Sequence, residues 1–265
     1  MMLNDQSLCA DAMPQRLLRV CDLSKRFDGT CAVDGFSVTV PERQVTSIVG
    51  PNGAGKTTLF NIISGFLRPD AGAVFFRAEP LTNLATWEIA QLGLSRTFQN
   101  IRIFGGMTVL ENMLLSTENK MAERFLHSLL SFRSGSPEQR RTAEKATAIL
   151  ELVGLTDKRH VPAGDLSYGQ QKLLNLACAV GTDASLLLLD EPVAGVQQDM
   201  IRRIEDVVRD LAHDHGKTIL LIEHDLEFVM RISDTVIVMD LGKKIFEGSV
   251  SDMAASGRVL EAYLN

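Results

Sequence analysis

The sequence lacks any apolar run long enough to cross a membrane. The apolar stretch Leu186–Leu189 is far shorter than the roughly 20 residues that a membrane-spanning helix needs and is typical of a buried strand. Residues 1–14 lack the basic start and apolar centre of a signal peptide, and we interpret residues 1–15 as a loose N-terminal extension. The sequence therefore predicts a cytoplasmic protein that would act at a membrane only through a partner.

Metal-binding cysteine patterns and an excess of basic charge are also absent. The 4 cysteines are scattered, with no CxxC pair and no zinc spacing. His213 and His215 would lie on different faces of a helix, so they do not predict a metal pair. The net charge of −6 provides no overall basic field for nucleic acid, and no nucleic-acid partner is expected.

The sequence does contain one complete phosphate-binding loop. Gly50–Thr57 fits the pattern G-x-x-x-x-G-K-[ST] at every defined position. Val45–Val49 before it is typical of a buried parallel strand, and Thr58–Ile63 after it can form a helix. Glycine lets backbone N–H groups turn towards phosphate oxygens, and a helix N-terminus adds unpaired donors. We therefore predict nucleotide binding, with Lys56 on the β- and γ-phosphates and Thr57 on Mg²⁺.

Carboxylates and a histidine follow two further apolar strands. Leu186–Leu189 leads into Asp190 and Glu191, and Thr218–Glu223 leads into His224. At this edge of a sheet one acid can hold Mg²⁺ through water, and a second can polarise an attacking water. A solvated turn and a surface histidine are the alternatives. The phosphate loop favours the catalytic interpretation of the two carboxylates. His224 lies where ligands bind in open α/β sheets, but both interpretations of this histidine stay open at this point.

The N-terminal part predicts strands, and one aromatic residue lies between two of them. Arg16–Leu23 and Phe36–Val40 alternate between apolar and polar residues, and Ser24–Gly29 resembles a turn. Phe27 in this stretch is either a packing residue or an exposed ring that can stack on a purine.

The middle third predicts helices without strands. Thr108–Glu111 has the form of a capping box, Glu138–Val153 is a helix, and Ser167 can cap a helix that ends near Gly181. Further helical sequence is predicted within residues 117–141, with a loop at 131–137, and in a short segment that ends at Asn265. This region reads as a helical lobe inserted into an otherwise α/β chain.

An apolar stretch opens this lobe. Ile101–Thr108 combines apolar residues with a Gly-Gly break. Such a patch is often a docking surface, and folding under as local core is the alternative.

Five motifs occur in the order found in ATP-binding cassette (ABC) ATPases. They are Gly50–Thr57, Gln99, Leu166–Gln170, Leu186–Glu191 and His224, and the resemblance extends over about residues 17–250. Arg96–Gln99, the long helical insert, the signature at Leu166–Gln170 and Ile222–Asp225 most resemble the ATPase subunits of branched-chain amino acid importers. Importers of urea or another amide or amino acid remain alternatives. So do non-transport ABC ATPases that act in iron–sulfur assembly or as clamps on nucleic acid or the ribosome.

The resemblance implies a fold and a reaction. The fold would be α/β, with a P-loop NTPase core built on a mainly parallel sheet, an antiparallel β subdomain and a helical subdomain inserted at about 100–182. Residues 16–265 would form a single ABC ATPase domain. The reaction would be Mg-dependent, transport-coupled hydrolysis of ATP, with ATP and Mg²⁺ as cofactors.

The resemblance also implies a role for each matching residue. Glu191 would be the general base or would orient water, His224 would contact the γ-phosphate, and Gln99 would contact the metal and the attacking water. Thr57, Gln99 and Asp190 would hold the metal. The nucleotide would contact Phe27, Asn52, Gly53, Ala54, Gly55, Lys56, Thr57 and Thr58, with Phe27 on adenine. The signature residues Ser167, Tyr168, Gly169 and Gln170 would serve the ATP of a second subunit, with Tyr168 replacing the usual glycine.

The implied partners follow from these roles. They are a related or identical ATPase subunit in a head-to-tail sandwich, a membrane permease, and a periplasmic or extracellular solute-binding protein that acts through the permease. The chain would be peripheral on the inner face of the cell membrane. Val196–Asp199 departs from the family pattern, since Gln197 and Gln198 replace shorter side chains, and this puts the cross-subunit contact made there in question.

Overall fold

The computed structural model describes residues 16–117 and 137–256, and the structural statements below concern these residues. The strands are β1 Arg16–Phe27, β2 Thr30–Pro41, β3 Val45–Val49, β4 Ala71–Phe76, β5 Glu79–Pro80, β6 Leu94–Arg96, β7 Leu186–Asp190, β8 Thr218–Ile222, β9 Thr235–Asp240 and β10 Lys243–Gly248. The helices are α1 Lys56–Ile63, α2 Thr86–Gln91, α3 Val109–Thr117, α4 Pro137–Val153, α5 Tyr168–Gly181, α6 Gln198–His213, α7 Leu226–Ile232 and α8 Val250–Ala254. The predicted N-terminal extension, most of the helical sequence predicted within 117–141, and the predicted C-terminal helix from residue 257 onwards lie outside the described residues.

A six-stranded sheet forms the centre of the fold. Its strand order is β10-β9-β3-β8-β7-β6, and every pair is parallel except β9 with β10. Every residue of β3, β7 and β8 is buried, as their continuous apolar sequences predict for a parallel sheet covered on both faces. Because the strands are parallel, the carboxyl ends of β3, β6, β7 and β8 meet at one edge.

A second sheet is antiparallel and has the order β2-β1-β4-β5. The prediction of a turn over Ser24–Gly29 is wrong for most of that stretch, because β1 continues to Phe27. Only Asp28 and Gly29 form the turn, with φ values of 42° and 90°. The polar residues stay in the strand because they pair with β2, with Lys25 opposite Val33 and Arg26 opposite Cys31. The Asp70 carboxylate adds hydrogen bonds from Lys25 Nζ and Arg26 N, both at 2.7 Å.

The helices between β6 and β7 pack on one face of the large sheet. The predicted capping box is confirmed, since Thr108 N donates to Glu111 Oε2 at 2.7 Å and Glu111 N donates to Thr108 Oγ1 at 3.2 Å. Val109 and Met113 of α3 belong to the same apolar cluster as Leu187 and Leu189 of the sheet. A second apolar cluster fills the space between the other face and the antiparallel sheet. The division of residues 16–265 into a core and a helical subdomain at 100–182 stays a prediction.

Over the part of the chain that the structure describes, no helix combines the length and the apolar character that crossing a membrane requires.

Candidate active site

The loop between β3 and α1 is shaped by close backbone contacts. Gly50 and Gly55 have φ values of 149° and 97°. A Cβ atom at Gly50 would lie 2.0 Å from Met239 O, and one at Gly55 would lie 2.0 Å from Ala32 O. Both positions therefore require glycine, and they hold the loop against β9 and β2.

Lys56 closes the loop from inside. Its Nζ donates to Gly50 O at 2.6 Å and to Pro51 O at 2.8 Å. Burial lowers the pKa of Lys56, and the nearby charge of Glu191 raises it in part. An ammonium group has three N–H donors, so one remains for a phosphate oxygen. The first N–H groups of α1 have no partner within the helix and can bind the same anion.

The other predicted nucleotide contacts lie on the same loop or near it. Asn52, Gly53 and Thr57 are exposed, Gly55 and Thr58 are half-buried, and Ala54 is buried. Ala54 O accepts a hydrogen bond from Gly242 N at 3.0 Å, which fixes the loop to the β9–β10 turn.

Phe27 is an exposed aromatic residue at the end of β1. It is 45% exposed and pairs with Thr30 at the end of the β1–β2 hairpin. Ala32, two residues further along β2, lies against Gly55 of the phosphate loop. The hairpin that carries this exposed ring therefore contacts the loop through Ala32, and stacking of Phe27 on adenine stays a prediction.

The three residues predicted to be catalytic lie in one hydrogen-bonded group. Gln99 Nε2 donates to Glu191 Oε2 at 2.8 Å, and His224 Nε2 lies 3.0 Å from Glu191 Oε1. The three side chains follow β6, β7 and β8, which are neighbours in the sheet. Each carboxylate oxygen of Glu191 therefore has a contact, one with Gln99 after β6 and one with His224 after β8, and these contacts fix the orientation of the carboxylate.

Asp190, the predicted metal-side acid, is buried and paired. It is 6% exposed, and its Oδ2 lies 2.9 Å from Arg96 Nη2. Arg96 also donates to Asn61 Oδ1 and Ser64 Oγ, both at 2.8 Å. The arginine compensates a charge that burial alone would disfavour. Sequence reasoning assigned no role to Arg96, because the contact joins positions 94 residues apart.

Glu223 is a second residue that sequence reasoning left without a role. It is 2% exposed, and burial raises the pKa of its carboxyl group. Its Oε1 accepts from Val193 N at 2.9 Å, and its Oε2 accepts from His224 N at 2.9 Å. Glu223 therefore links the loop after Glu191 to the backbone of His224. In the sequence, the position of this carboxylate at the end of a predicted buried strand could have indicated its role.

Comparison with known proteins identifies the family of this chain. The sequence model described as "ABC transporter" matches residues 33–194 of the chain. The chain belongs to the ABC transporter family. It is an ATP-binding cassette, and the predicted ATPase class is confirmed.

Curated relatives in this family match nearly the whole chain. The chain is 37% identical over 252 residues to the high-affinity branched-chain amino acid transport ATP-binding protein LivG of Salmonella typhimurium, covering 95% of this chain and 99% of the relative. It is 38% identical to the protein BraF of the same description from Pseudomonas aeruginosa, with the same coverage. A probable LivG of Archaeoglobus fulgidus is 39% identical and covers 94% of this chain and 95% of the relative.

Solved structures of ABC cassettes have the same fold. One is the ADP conformation of an ATP-binding cassette of an ABC transporter, with a TM-score of 0.81, 35% identity, and coverage of 94% of this chain and 99% of that chain. A nucleotide-free cassette gives a TM-score of 0.78 at 34% identity with the same coverage. The predicted α/β fold of an ABC ATPase is confirmed.

The signature of the cassette opens α5. Gln170 N donates to Ser167 Oγ at 3.4 Å, and Ser167 N donates to Gln170 Oε1 at 3.0 Å. Tyr168 is 48% exposed, and a Cβ atom at Gly169 would lie 2.5 Å from Met200 Cγ on α6. The first turn of α5 is thus capped by its own side chains and packs against α6. Contact of these signature residues with the ATP of a second subunit stays a prediction.

The segment that departs from the family pattern leads into α6. Gln197 is the N-cap of α6 and makes no capping hydrogen bond through its side chain, and Asp199 Oδ1 pairs with Arg202 at 2.8 Å. Gln197 is exposed, and the cross-subunit contact in question at this segment is untested.

Proposed function

We propose that this cassette is the ATPase subunit of an importer of branched-chain amino acids and powers a separate permease. The observation that carries the proposal is the relation to LivG and BraF over 95% of this chain and 99% of each relative. The relatives carry names of transport proteins, which favours the importer over the non-transport ABC ATPases.

The geometry supports hydrolysis of ATP by attack of water on the γ-phosphorus. The glycine loop and Lys56 would hold the phosphates, while Glu191 would accept a proton from the water or orient it. Gln99 and His224 contact opposite oxygens of that carboxylate at 2.8 and 3.0 Å, so its position is defined before the water arrives. The P–O bond to ADP would break as the bond to water forms, giving ADP and phosphate.

The residues present fit Mg²⁺, which prefers oxygen ligands. The exposed Thr57 hydroxyl lies in the first turn of α1, and the Asp190 carboxylate and the Gln99 amide lie at the adjacent strand ends. When bound, the cation would neutralise charge on the phosphates. In the described residues no group of three or more His, Cys, Asp or Glu side chains forms a separate metal site.

A second ABC ATPase subunit, identical or related, would complete the site. Ser167, Tyr168, Gly169 and Gln170 open α5, while the phosphate loop precedes α1, and the two lie on different elements of the fold. A head-to-tail sandwich would bring the signature of one chain to the ATP of the other. ATP would favour the closed state of this sandwich, and hydrolysis of the γ-phosphate would favour the open state.

The permease would dock at Ile101–Thr108. Ile103 packs against the apolar core, whereas Phe104 is 58% exposed. The buried Asn112 fixes this loop, since its Oδ1 accepts from Phe104 N at 2.8 Å and its Nδ2 donates to Phe104 O at 3.1 Å. One residue of the segment, Ile103, thus belongs to the local core, whereas Phe104 is an exposed apolar side chain whose backbone is fixed by hydrogen bonds. Docking would place the chain on the inner face of the cell membrane, with a solute-binding protein acting through the permease.

Purification from native membranes tests this function. A tagged chain should retain integral membrane proteins and a second ATPase through mild detergent. Reconstituted with the recovered permease and binding protein, it should drive ATP-dependent uptake of labelled leucine and not of urea. Uptake of urea alone would move the assignment to the amide importers, and recovery of the chain without any membrane protein would contradict the importer role.

A further inference from the structure

A buried lysine connects the signature helix to the catalytic residues of the same chain. Lys172 lies in the second turn of α5 and is 5% exposed. Its Nζ donates to Glu191 O at 2.9 Å and to Gln99 O at 3.4 Å. A lysine is almost never buried to this extent unless its ammonium group is paired. These two carbonyl groups belong to the residues whose side chains contact each other at 2.8 Å.

The surroundings keep the ammonium group at this position. Burial lowers the pKa of Lys172, whereas the carboxylates of Glu223, Glu191 and Asp190 raise it in part. A neutral amine would lose this attraction to three carboxylates. Charge and hydrogen bonding therefore both favour the ammonium group at its position beside Glu191 O and Gln99 O.

Glu191 needs such a restraint on its backbone. Its φ of 48° lies in the left-handed region, which is unfavourable for a residue other than glycine. The same carbonyl oxygen also accepts from Ala194 N at 3.3 Å. The bond from Lys172 therefore helps to hold the turn that presents the Glu191 carboxylate.

The signature residue Tyr168 lies one helical turn before this lysine. Lys172 Nζ is 5.7 Å from the centre of the Tyr168 ring, which is within the range of a cation–π contact. A displacement of the first turn of α5 would thus reach Glu191 and Gln99 through a single side chain.

We propose that Lys172 is a positioning residue that fixes the backbones of Gln99 and Glu191 and ties the signature helix to the hydrolytic site of its own chain. In the two-chain sandwich, on which this inference rests, the signature of each chain meets the partner's ATP. Lys172 then couples occupation of one ATP site to the geometry of the other.

Three variants of the full chain test the proposal. Lys172→Met removes the donors while keeping an apolar stem, and Lys172→Arg restores donors. Lys217→Met is the matched control, because Lys217 Nζ donates to the backbone oxygen of Ala184 at 2.7 Å just before β8, at the opposite end of the sheet strands. Burial also lowers the pKa of Lys217. Steady-state hydrolysis gives kcat and KM, and titration with a fluorescent ADP gives affinity.

Lys172→Met should lower kcat at least tenfold, since small displacements of reacting groups are costly, and should change ADP affinity less than threefold. Lys172→Arg should recover most of the lost kcat, and Lys217→Met should stay within twofold of the wild type. An unchanged kcat in Lys172→Met, or an equal loss in Lys217→Met, would overturn the proposal. A parallel loss of ADP affinity would do the same. If Lys172→Met does not fold, Lys172→Gln takes its place with the same thresholds.

The sandwich itself is tested separately. ATP-dependent dimerisation of a hydrolysis-deficient chain, measured by size-exclusion chromatography, reports on the proposed function alone. A protein that dimerises with ATP but keeps full kcat in Lys172→Met would refute only the role of Lys172.

Discussion

Replacement of Glu191 by glutamine removes one negative charge and preserves the shape of the side chain. In the structure the carboxylate accepts from Gln99 Nε2 at 2.8 Å and lies 3.0 Å from His224 Nε2. The glutamine carbonyl can keep one of these contacts, so the side chain should remain in place. An amide cannot take a proton from water, and hydrolysis should therefore slow while the phosphate loop is unaffected.

The expected loss can be bounded. General base catalysis contributes about 10²–10⁴-fold to a rate, which corresponds to about 3–5 kcal/mol of transition-state stabilisation. The kcat of Glu191→Gln should fall within this range. ATP affinity should be equal or higher, because the removed charge has the same sign as the phosphates.

The assay separates chemistry from binding. Phosphate release at saturating ATP and Mg²⁺ gives kcat, and equilibrium titration with a fluorescent ATP analogue gives affinity. Glu247→Gln is the control, because this carboxylate pairs with Lys244 within β10 and lies outside the site. Turnover of Glu191→Gln within twofold of the wild type would remove Glu191 as the base. A joint loss of affinity would instead indicate a structural role.

Three further outcomes are expected. Lys56→Ala should weaken ADP binding at least tenfold in a fluorescence titration, because the loop loses its ammonium group, and wild-type affinity would refute the assignment. Phe104→Ala should lower uptake in the reconstituted importer without changing ADP affinity. The control Met230→Ala, which also alters an exposed apolar side chain, should retain uptake. Normal uptake and normal co-purification with the permease in the Phe104 variant would contradict the docking assignment. Burial raises the pKa of the Cys178 thiol to about 11, so little thiolate exists at pH 8 and iodoacetamide should alkylate Cys178 far more slowly than Cys31 in peptide mapping. Equal rates at the two cysteines would contradict this.

The parts of the site that the sequence predicted depend on local pattern and on one geometric rule. Gly50–Thr57 is contiguous, so its shape is encoded within the segment itself. Glu191 and His224 are far apart in the chain, yet each follows a predicted strand, and parallel strands bring their carboxyl ends to one edge. Gln99 follows β6, which is parallel to β7 in the same sheet. Their proximity in the structure agrees with that expectation.

The residues that sequence reasoning missed act through long-range contacts. Arg96 is polar within an apolar stretch, and only the fold reveals that it faces Asp190 and the end of α1. Lys172 reads as one polar residue of an amphipathic helix, although its ammonium group is buried against backbone oxygens. The error at Ser24–Gly29 has a related origin, because pairing with β2 and a hydrogen bond from Arg26 N to the distant Asp70 carboxylate hold this polar stretch as a strand.

Helices α3 to α5 and the sheet are built around one apolar cluster, and this limits how cassettes can be recombined. A chimaera that takes residues 100–182 from another ABC protein would replace only half of the interface that Val109 and Met113 form with Leu187 and Leu189. Mismatched volumes there would cost about 1–3 kcal/mol for each overpacked side chain. A functional chimaera would therefore have to include the facing residues of β7 together with the helices. The segment to be exchanged is thus longer than residues 100–182.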